Sequence, residues 1–212
     1  MSSKTVIAYI GKGGSGKSYL GGKVAHAIGC KHHSVGNDYK KLAEQRNKES
    51  AKKIYDEGKI MEMSDYHEIV RAYVGSLAVP NIDTALSLDG LFRSKAQVDV
   101  FMSELGDIGH ESDINVICVY LDVAEEILLE NRRARIKNAL EGTEEIKQVD
   151  VNRSAIMERV KLDEDLDGIA KYIEEKYSGR IKLLRVGIGS IDTREQTLDN
   201  LVKELASITD SV

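Results

Sequence analysis

Eight residues near the start of the chain, Gly11-Lys12-Gly13-Gly14-Ser15-Gly16-Lys17-Ser18, restrict the folds open to it more than any other feature. They have the spacing G-x-x-x-x-G-K-[ST], in which backbone N–H groups wrap phosphate oxygens. By average composition such a match arises in roughly one unrelated chain of this length in a hundred. Its surroundings lower that rate: the β-branched and apolar run Thr5 to Ile10 precedes the loop, and a helical pattern from Ser18 to Ile28 follows it. Glycines let such a loop take positive φ and approach phosphates without a Cβ clash, while the helix N-terminus adds partial positive charge. Lys17 would reach the β- and γ-phosphates as a point charge. The Ser18 hydroxyl lies where it can serve Mg²⁺, directly or through water.

Three further apolar runs read as buried strands: Ala85 to Leu88, Ile114 to Asp122 and Ile181 to Val186. Between them Asn37 to Gln45, Glu49 to Glu57, Tyr66 to Leu77, Lys95 to Leu105, Ala124 to Lys137 and Asn152 to Lys176 carry apolar residues at helical spacing. Strands alternating with helices imply a parallel sheet covered on both faces. Thr193 and Gln196 read as a capping box ahead of Leu198, Leu201, Val202 and Leu205, and the lone proline, Pro80, as a turn into the next strand. With 212 residues the chain can bury one core with insertions. Its 42% hydrophobic and 31% charged residues are those of a soluble globular protein, and a net charge of −5 weighs against sequence-independent binding of nucleic acid. Cys30 and Cys118 are too few for a zinc ribbon or a disulfide framework and read as reduced thiols. No apolar stretch is long enough to span a membrane and no signal peptide is evident, so a cytoplasmic protein without membrane or nucleic-acid partners is expected.

Asp89 follows the run Ala85 to Leu88 and is expected at the C-terminal edge of the sheet, beside the glycine-rich loop, where ligands bind in open α/β sheets. A carboxylate there can organise the waters of Mg²⁺. Arg93 offers a planar fork suited to a phosphate, and Gln97 offers a donor and an acceptor to an adenine edge. Taken singly, Asp89-Gly90 is a simple turn and Gln97 a solvated helix face; together, after a phosphate loop, they read as a site.

These segments together resemble the adenylate kinase family from about Thr5 to the C-terminal helix. Ser34-Val35-Gly36-Asn37-Asp38, followed by Lys40 and Lys41, is similar to that family's Ser-Thr-Gly-Asp and arginine, with valine for threonine, one residue inserted and lysine for arginine. Gly58-Lys59-Ile60-Met61 is similar to Gly-Lys-Leu-Val. Leu88-Asp89-Gly90-Leu91-Phe92-Arg93, with Gln97, looks like Leu-Asp-Gly-Phe-Pro-Arg-x-x-x-Gln. Asp150, Asn152, Ile156 and Arg159 resemble Asp-Asp-Asn followed by Ile-x-x-Arg. By the same alignment Arg135 and Arg159 match phosphate-clamping arginines, whereas Asn131 and Gln148 stand where two more would be.

The resemblance implies an α/β P-loop three-layer sandwich, with a core over 1–34, 84–137 and 150–212, an acceptor-binding helical insertion over 35–83 and a short lid over 138–149. The lid has no cysteine, which excludes a zinc-bearing lid. It implies a monomer that transfers the terminal phosphoryl group reversibly from Mg·ATP to a nucleoside monophosphate, foremost AMP, giving two ADP. ATP would lie on residues 11–18, Arg132 and Arg135, and the acceptor on Val35, Gly36, Lys41, Lys59, Ile60, Met61, Gly90, Arg93 and Gln97. Lys17, Arg93, Arg135 and Arg159 would neutralise charge, with Mg²⁺ at Ser18 and Asp89. No general base is needed, because the acceptor phosphate is already ionised. Arg132 is expected to replace the arginine missing at Asn131, and Lys17→Ala to abolish transfer without harming the fold. Two rival readings are a catalytically weak nucleotide-binding regulator, suggested by the missing arginines, and a partition-type ATPase. In the latter Lys12 of a Lys-Gly-Gly-x-Gly-Lys-Ser signature would cross a dimer interface.

Overall fold

The first apolar run becomes the central strand of a parallel sheet. A computed structural model describes residues 4–46, 49–57, 59–78, 85–107, 114–142 and 153–210. Its strands are β1 (Lys4–Gly11), β2 (Lys31–Ser34), β3 (Ala85–Asp89), β4 (Ile114–Val123) and β5 (Ile181–Ile188). Its helices are α1 (Lys17–Ile28), α2 (Val35–Gln45), α3 (Glu49–Asp56), α4 (Met63–Ala78), α5 (Lys95–Asp107), α6 (Glu125–Leu140), α7 (Arg153–Glu164), α8 (Leu166–Tyr177) and α9 (Ile191–Asp210). The sheet order is β2-β3-β1-β4-β5 with every pairing parallel, so β1 lies between β3 and β4 and its C-terminal end opens at the middle of the sheet edge.

Alternation along the strands divides the interior into two layers. Val6, Ala8 and Ile10 of β1 and Val116, Cys118 and Tyr120 of β4 face one core, built with α2, α4, α5 and α8. Ile7 and Tyr9, with Ile117, Val119 and Leu121, face the other, covered by α1, α6 and α9. This is the three-layer sandwich expected of strands that are apolar on both faces. The stretch 35–83 is more than an appendage, because Tyr66, Val70, Val74 and Leu77 of α4 are buried in the first of these cores. Among the described residues no helix is long and apolar enough to cross a membrane.

Several local expectations are corrected. β2 reads Lys-His-His-Ser and is half-buried at the sheet edge, so it carries no apolar run that could announce a strand. The single helix expected over Asn152 to Lys176 is two, α7 and α8, separated at Asp165. The Asp165 carboxylate folds back over Gly168, where a Cβ would approach it to 2.5 Å, and Leu166, Ile169, Ala170 and Ile173 form the buried stripe of α8. α9 is capped by Ser190, whose hydroxyl accepts the Asp192 N–H at 3.2 Å; Thr193 is already inside the first turn and donates to the Ser190 carbonyl. Asn138 to Leu140, expected in the lid, form the last turn of α6. Glu141 and Gly142 turn out of that helix, and the remaining lid residues, 143–149, together with Pro80, Gly58, Asp150 and Asn152, lie outside the described residues.

Candidate functional site

The glycine-rich loop leaves β1 at Gly11 and enters α1 at Lys17. Gly14 and Gly16 have φ of 95° and 89°, a region that costs an L side chain roughly 1–2 kcal/mol. Gly14 has a second constraint: a Cβ there would meet the Leu128 carbonyl oxygen at 2.9 Å and Arg132 Cγ at 3.3 Å, so α6 packs directly on the loop backbone. Lys17 is buried and its Nζ donates to the carbonyls of Gly11 at 2.7 Å and Lys12 at 2.9 Å and to Ser15 Oγ at 3.2 Å. The ammonium therefore braces the loop that it would share with a phosphate. Ser18 Oγ donates to Asp89 Oδ2 at 2.5 Å, joining the start of α1 to the end of β3.

Beyond Asp89 the chain turns at Gly90, whose φ is 74°, and α5 begins. Ser94 Oγ accepts the Gln97 N–H at 3.2 Å, and Gln97 Oε1 accepts the Arg93 N–H at 2.8 Å. Gln97 thus fixes the Arg93 backbone as well as facing the cavity, and one lone pair of its amide oxygen is already used. Tyr66, fully buried, donates to the Leu91 carbonyl at 2.9 Å, anchoring this turn to α4.

α6 supplies the opposite wall, in a way the sequence did not reveal. Asn131 Nδ2 donates to the Gly14 carbonyl at 2.8 Å, and Asn131 Oδ1 accepts from an Arg194 guanidinium N–H at 2.8 Å. The position read as a missing arginine therefore couples the loop to an arginine on α9. Arg132, expected to replace the missing arginine, has its Nε donating to the Gly13 carbonyl at 3.0 Å and its fork 3.9 Å from Asp163 Oδ2, and it does not line the cavity. The same Asp163 oxygen accepts the Gly13 N–H at 2.9 Å, so α7 reaches the loop as well.

One cavity of about 780 Å³ joins these parts. Its floor is Gly13, Gly14, Ser15, Gly16, Lys17 and Ser18, with Asp89 beside them. Of the expected acceptor residues, Gly36, Lys59, Met61, Gly90, Arg93 and Gln97 line it, whereas Val35, Lys41 and Ile60 do not. Val35 is fully buried in the core, and Lys41 is exposed and paired with Asp38 at 3.3 Å. Of the donor-side residues, Arg135 lines the cavity and Gly11, Lys12 and Arg132 do not: Gly11 ends β1 and Lys12 turns outward. Arg159 belongs to α7, and its side chain lies outside the described ones. Ser34 and Asn37, from the segment that resembles Ser-Thr-Gly-Asp, and Asn131 also line the cavity, as do Tyr39, Asn138 and Arg194, which had no sequence signal of their own. Burial, with Asp65 and Glu62 nearby, pushes the Tyr39 hydroxyl up to about 12, so it stays protonated. Next to the acceptor wall, burial of Asp38 is outweighed by hydrogen bonds from Tyr73 (2.6 Å), Lys41 and His33, which hold its carboxyl below the usual carboxylate range.

Ser18 and Asp89 suit a magnesium ion in kind and number. Mg²⁺ prefers hard oxygen ligands and takes one or two from a protein, leaving other positions to phosphates and water. Here a hydroxyl and a carboxylate meet at the cavity floor, and no group of three or more His, Cys, Asp or Glu forms a denser metal cage among the described residues.

A family model described as an AAA domain matches residues 10–147. A crystal structure of a gluconokinase from Sinorhizobium meliloti 1021 is similar in fold, with a TM-score of 0.55 at 15% sequence identity over 99% of this chain and 95% of that one. No curated protein matches the chain in sequence.

Proposed function

The chain belongs to the AAA domain family, and from that premise we propose that it is a phosphotransferase that moves the terminal phosphoryl group of ATP to a nucleoside monophosphate, foremost AMP. The observation that carries this reading is the single cavity with the phosphate loop as its floor and an arginine on each wall, Arg93 on one side and Arg135 on the other. A donor lying along α6 and an acceptor lying against α2 and α5 would bring their phosphates together over Lys17 and the N-terminus of α1. Lys17 stabilises the transferring group, Arg93 holds the acceptor phosphate and Arg135 the donor. Mg²⁺, held through Ser18 and Asp89, would supply further neutralisation of the phosphate charge. Positioning and charge suffice, because a phosphate acceptor is already ionised. Closure of the cavity walls over bound substrates would exclude water, the competing acceptor.

The fold likeness to a gluconokinase favours a second reading, transfer to a hydroxyl of a small polar acid such as gluconate. An alcohol must lose a proton on attack, and Asp89, already bound to a hydroxyl at 2.5 Å, is a base of the right kind. One experiment decides: purified protein with Mg·ATP and, in turn, AMP, GMP, CMP, UMP and gluconate, reading ADP formation, together with formation of ATP and AMP from ADP alone. AMP leading, with ADP disproportionation, supports the proposal. Turnover with gluconate alone replaces it with the second reading, and ATP binding without transfer to any acceptor replaces both with a regulatory role.

A further inference from the structure

Arg194 is the one described arginine on the cavity wall that no reading of the sequence picked out. It lies in the first turn of α9, where a cation gains nothing from the helix dipole, so capping does not account for it. Its guanidinium has five N–H donors, and the bond to Asn131 Oδ1 is the sole protein partner found for it among the described residues. Arg132 differs, being held by Gly13 and Asp163. Asn131 is itself fixed by its bond to the Gly14 carbonyl, so the Arg194 fork stands in a set register with the phosphate loop, one amide width outside it.

That register decides what the fork can meet. Phosphates go to the loop N–H groups and the start of α1, whereas Asn131 approaches the loop on a carbonyl, a side that repels anions. On this outer side the wall also holds Ala134 on α6 and Leu198, one turn beyond Arg194 on α9 and 3% exposed, with Glu195 beside them. A planar cation beside apolar side chains such as Ala134 and Leu198 is a surface for a flat aromatic ring, because arginine stacks on π-faces and lysine does so less well. Resting on the nucleotide reading of the cavity, we infer that Arg194 is a donor-binding residue that stacks on the base of the donor nucleotide, and that Asn131 is the positioning residue that holds it there. The part expected of Arg132 thus falls to a residue from the other end of the chain, and it concerns the base and not the phosphates.

The test is equilibrium binding of two probes, Mg·ATP and Mg·tripolyphosphate, to the full chain and to Arg194→Ala, Arg194→Lys, Asn131→Ala and the Arg194→Ala/Asn131→Ala double variant. Arg194→Ala is expected to weaken ATP by roughly tenfold, the strength of a partly desolvated cation–π contact, and to leave tripolyphosphate within about twofold. Arg194→Lys should fail to restore ATP affinity, because a point charge lacks the plane. If Asn131 acts through Arg194, the double variant should bind ATP more tightly than the product of the two single losses predicts. Equal weakening of both probes by Arg194→Ala would make it a phosphate clamp and overturn the inference, as would no change in either, which marks a solvated surface arginine. A wild type that binds neither probe would overturn the nucleotide reading itself. A wild type that shows the expected binding pattern but transfers to no nucleoside monophosphate would overturn only the acceptor assignment and support Arg194 as stated.

Discussion

Lys17→Ala is expected to damage the loop as well as the chemistry, against the simple view of this lysine as a catalytic charge alone. In the folded chain Nζ is buried and bonded to two carbonyls, at 2.7 and 2.9 Å, and to Ser15 Oγ. Alanine removes the shared donor, and a buried carbonyl left without one costs about 1–3 kcal/mol. Two effects act the other way: the ammonium no longer has to be desolvated, and water can reach the part-buried Lys12 carbonyl. The balance is a net loss of about 1–3 kcal/mol, the two-carbonyl sum less what water restores. With a urea slope of roughly 2 kcal/mol/M, the unfolding midpoint should fall by about 0.5–1.5 M. Turnover should fall by at least about a hundredfold, as when one preorganised contact to a developing charge is removed. Unfolding followed by circular dichroism in nucleotide-free buffer reads the first effect, and ADP formation the second. An unfolding midpoint equal to or above the wild type would refute the bracing role. Near wild-type turnover would refute the phosphate-loop assignment.

Gly14→Ala should lower ATP affinity at least about tenfold by calorimetry while leaving the far-ultraviolet spectrum unchanged, because the φ of 95° and the 2.9 Å approach to the Leu128 carbonyl together force the loop to shift at about 2–4 kcal/mol; undiminished affinity would show that the loop tolerates a Cβ. Asp38→Asn should cost about 1 kcal/mol at neutral pH, since the folded carboxyl titrates below its ordinary value of 3.8 and so contributes stability above that pH and loses it as pH falls through the lower folded value. The gap between wild type and Asp38→Asn should therefore narrow below about pH 4, and a gap of constant size across urea titrations at neutral and acid pH would sink the argument.

Legibility in the sequence followed burial. β1, β3 and β4 are apolar runs because both faces of the sheet are covered there, and they could be read directly from that pattern; β5 lies at the sheet edge with only Ile181 and Ile188 buried, and was read from its aliphatic residues alone. β2 could not be recognised, since it reads Lys-His-His-Ser, with no aliphatic residue and with half-exposed side chains. The division between α7 and α8 escaped because helical spacing continues through Asp165; its one local sign is Asp165-Leu166-Asp167-Gly168, an acid placed before a glycine that makes room for it. At the site, motif residues on the loop and around Asp89, Arg93 and Gln97 were readable because their spacing is short and their neighbours are adjacent in sequence. Asn131, Asp163 and Arg194 were not. Their partners are 117, 150 and 63 residues away, and nothing in a polar helix face tells a residue bonded to a distant backbone from one bonded to water.

The bond from the Gly13 N–H to Asp163 bears on how this chain can be dissected. The stretch that matches the AAA domain model ends at 147, whereas the carboxylate that ties down the loop comes from 163. A fragment cut at the model's boundary would retain the whole glycine-rich signature but lose the brace on its third residue. It would also lose β5, leaving the β4 edge from Val116 to Val123 without its partner and open to pairing between chains. Aggregation with little phosphate affinity is the behaviour to expect of such a piece. The signature alone, transplanted or truncated, is thus not a minimal unit: the smallest chain that keeps this loop in shape extends at least through α7, and the smallest that keeps all five strands of the sheet extends through β5.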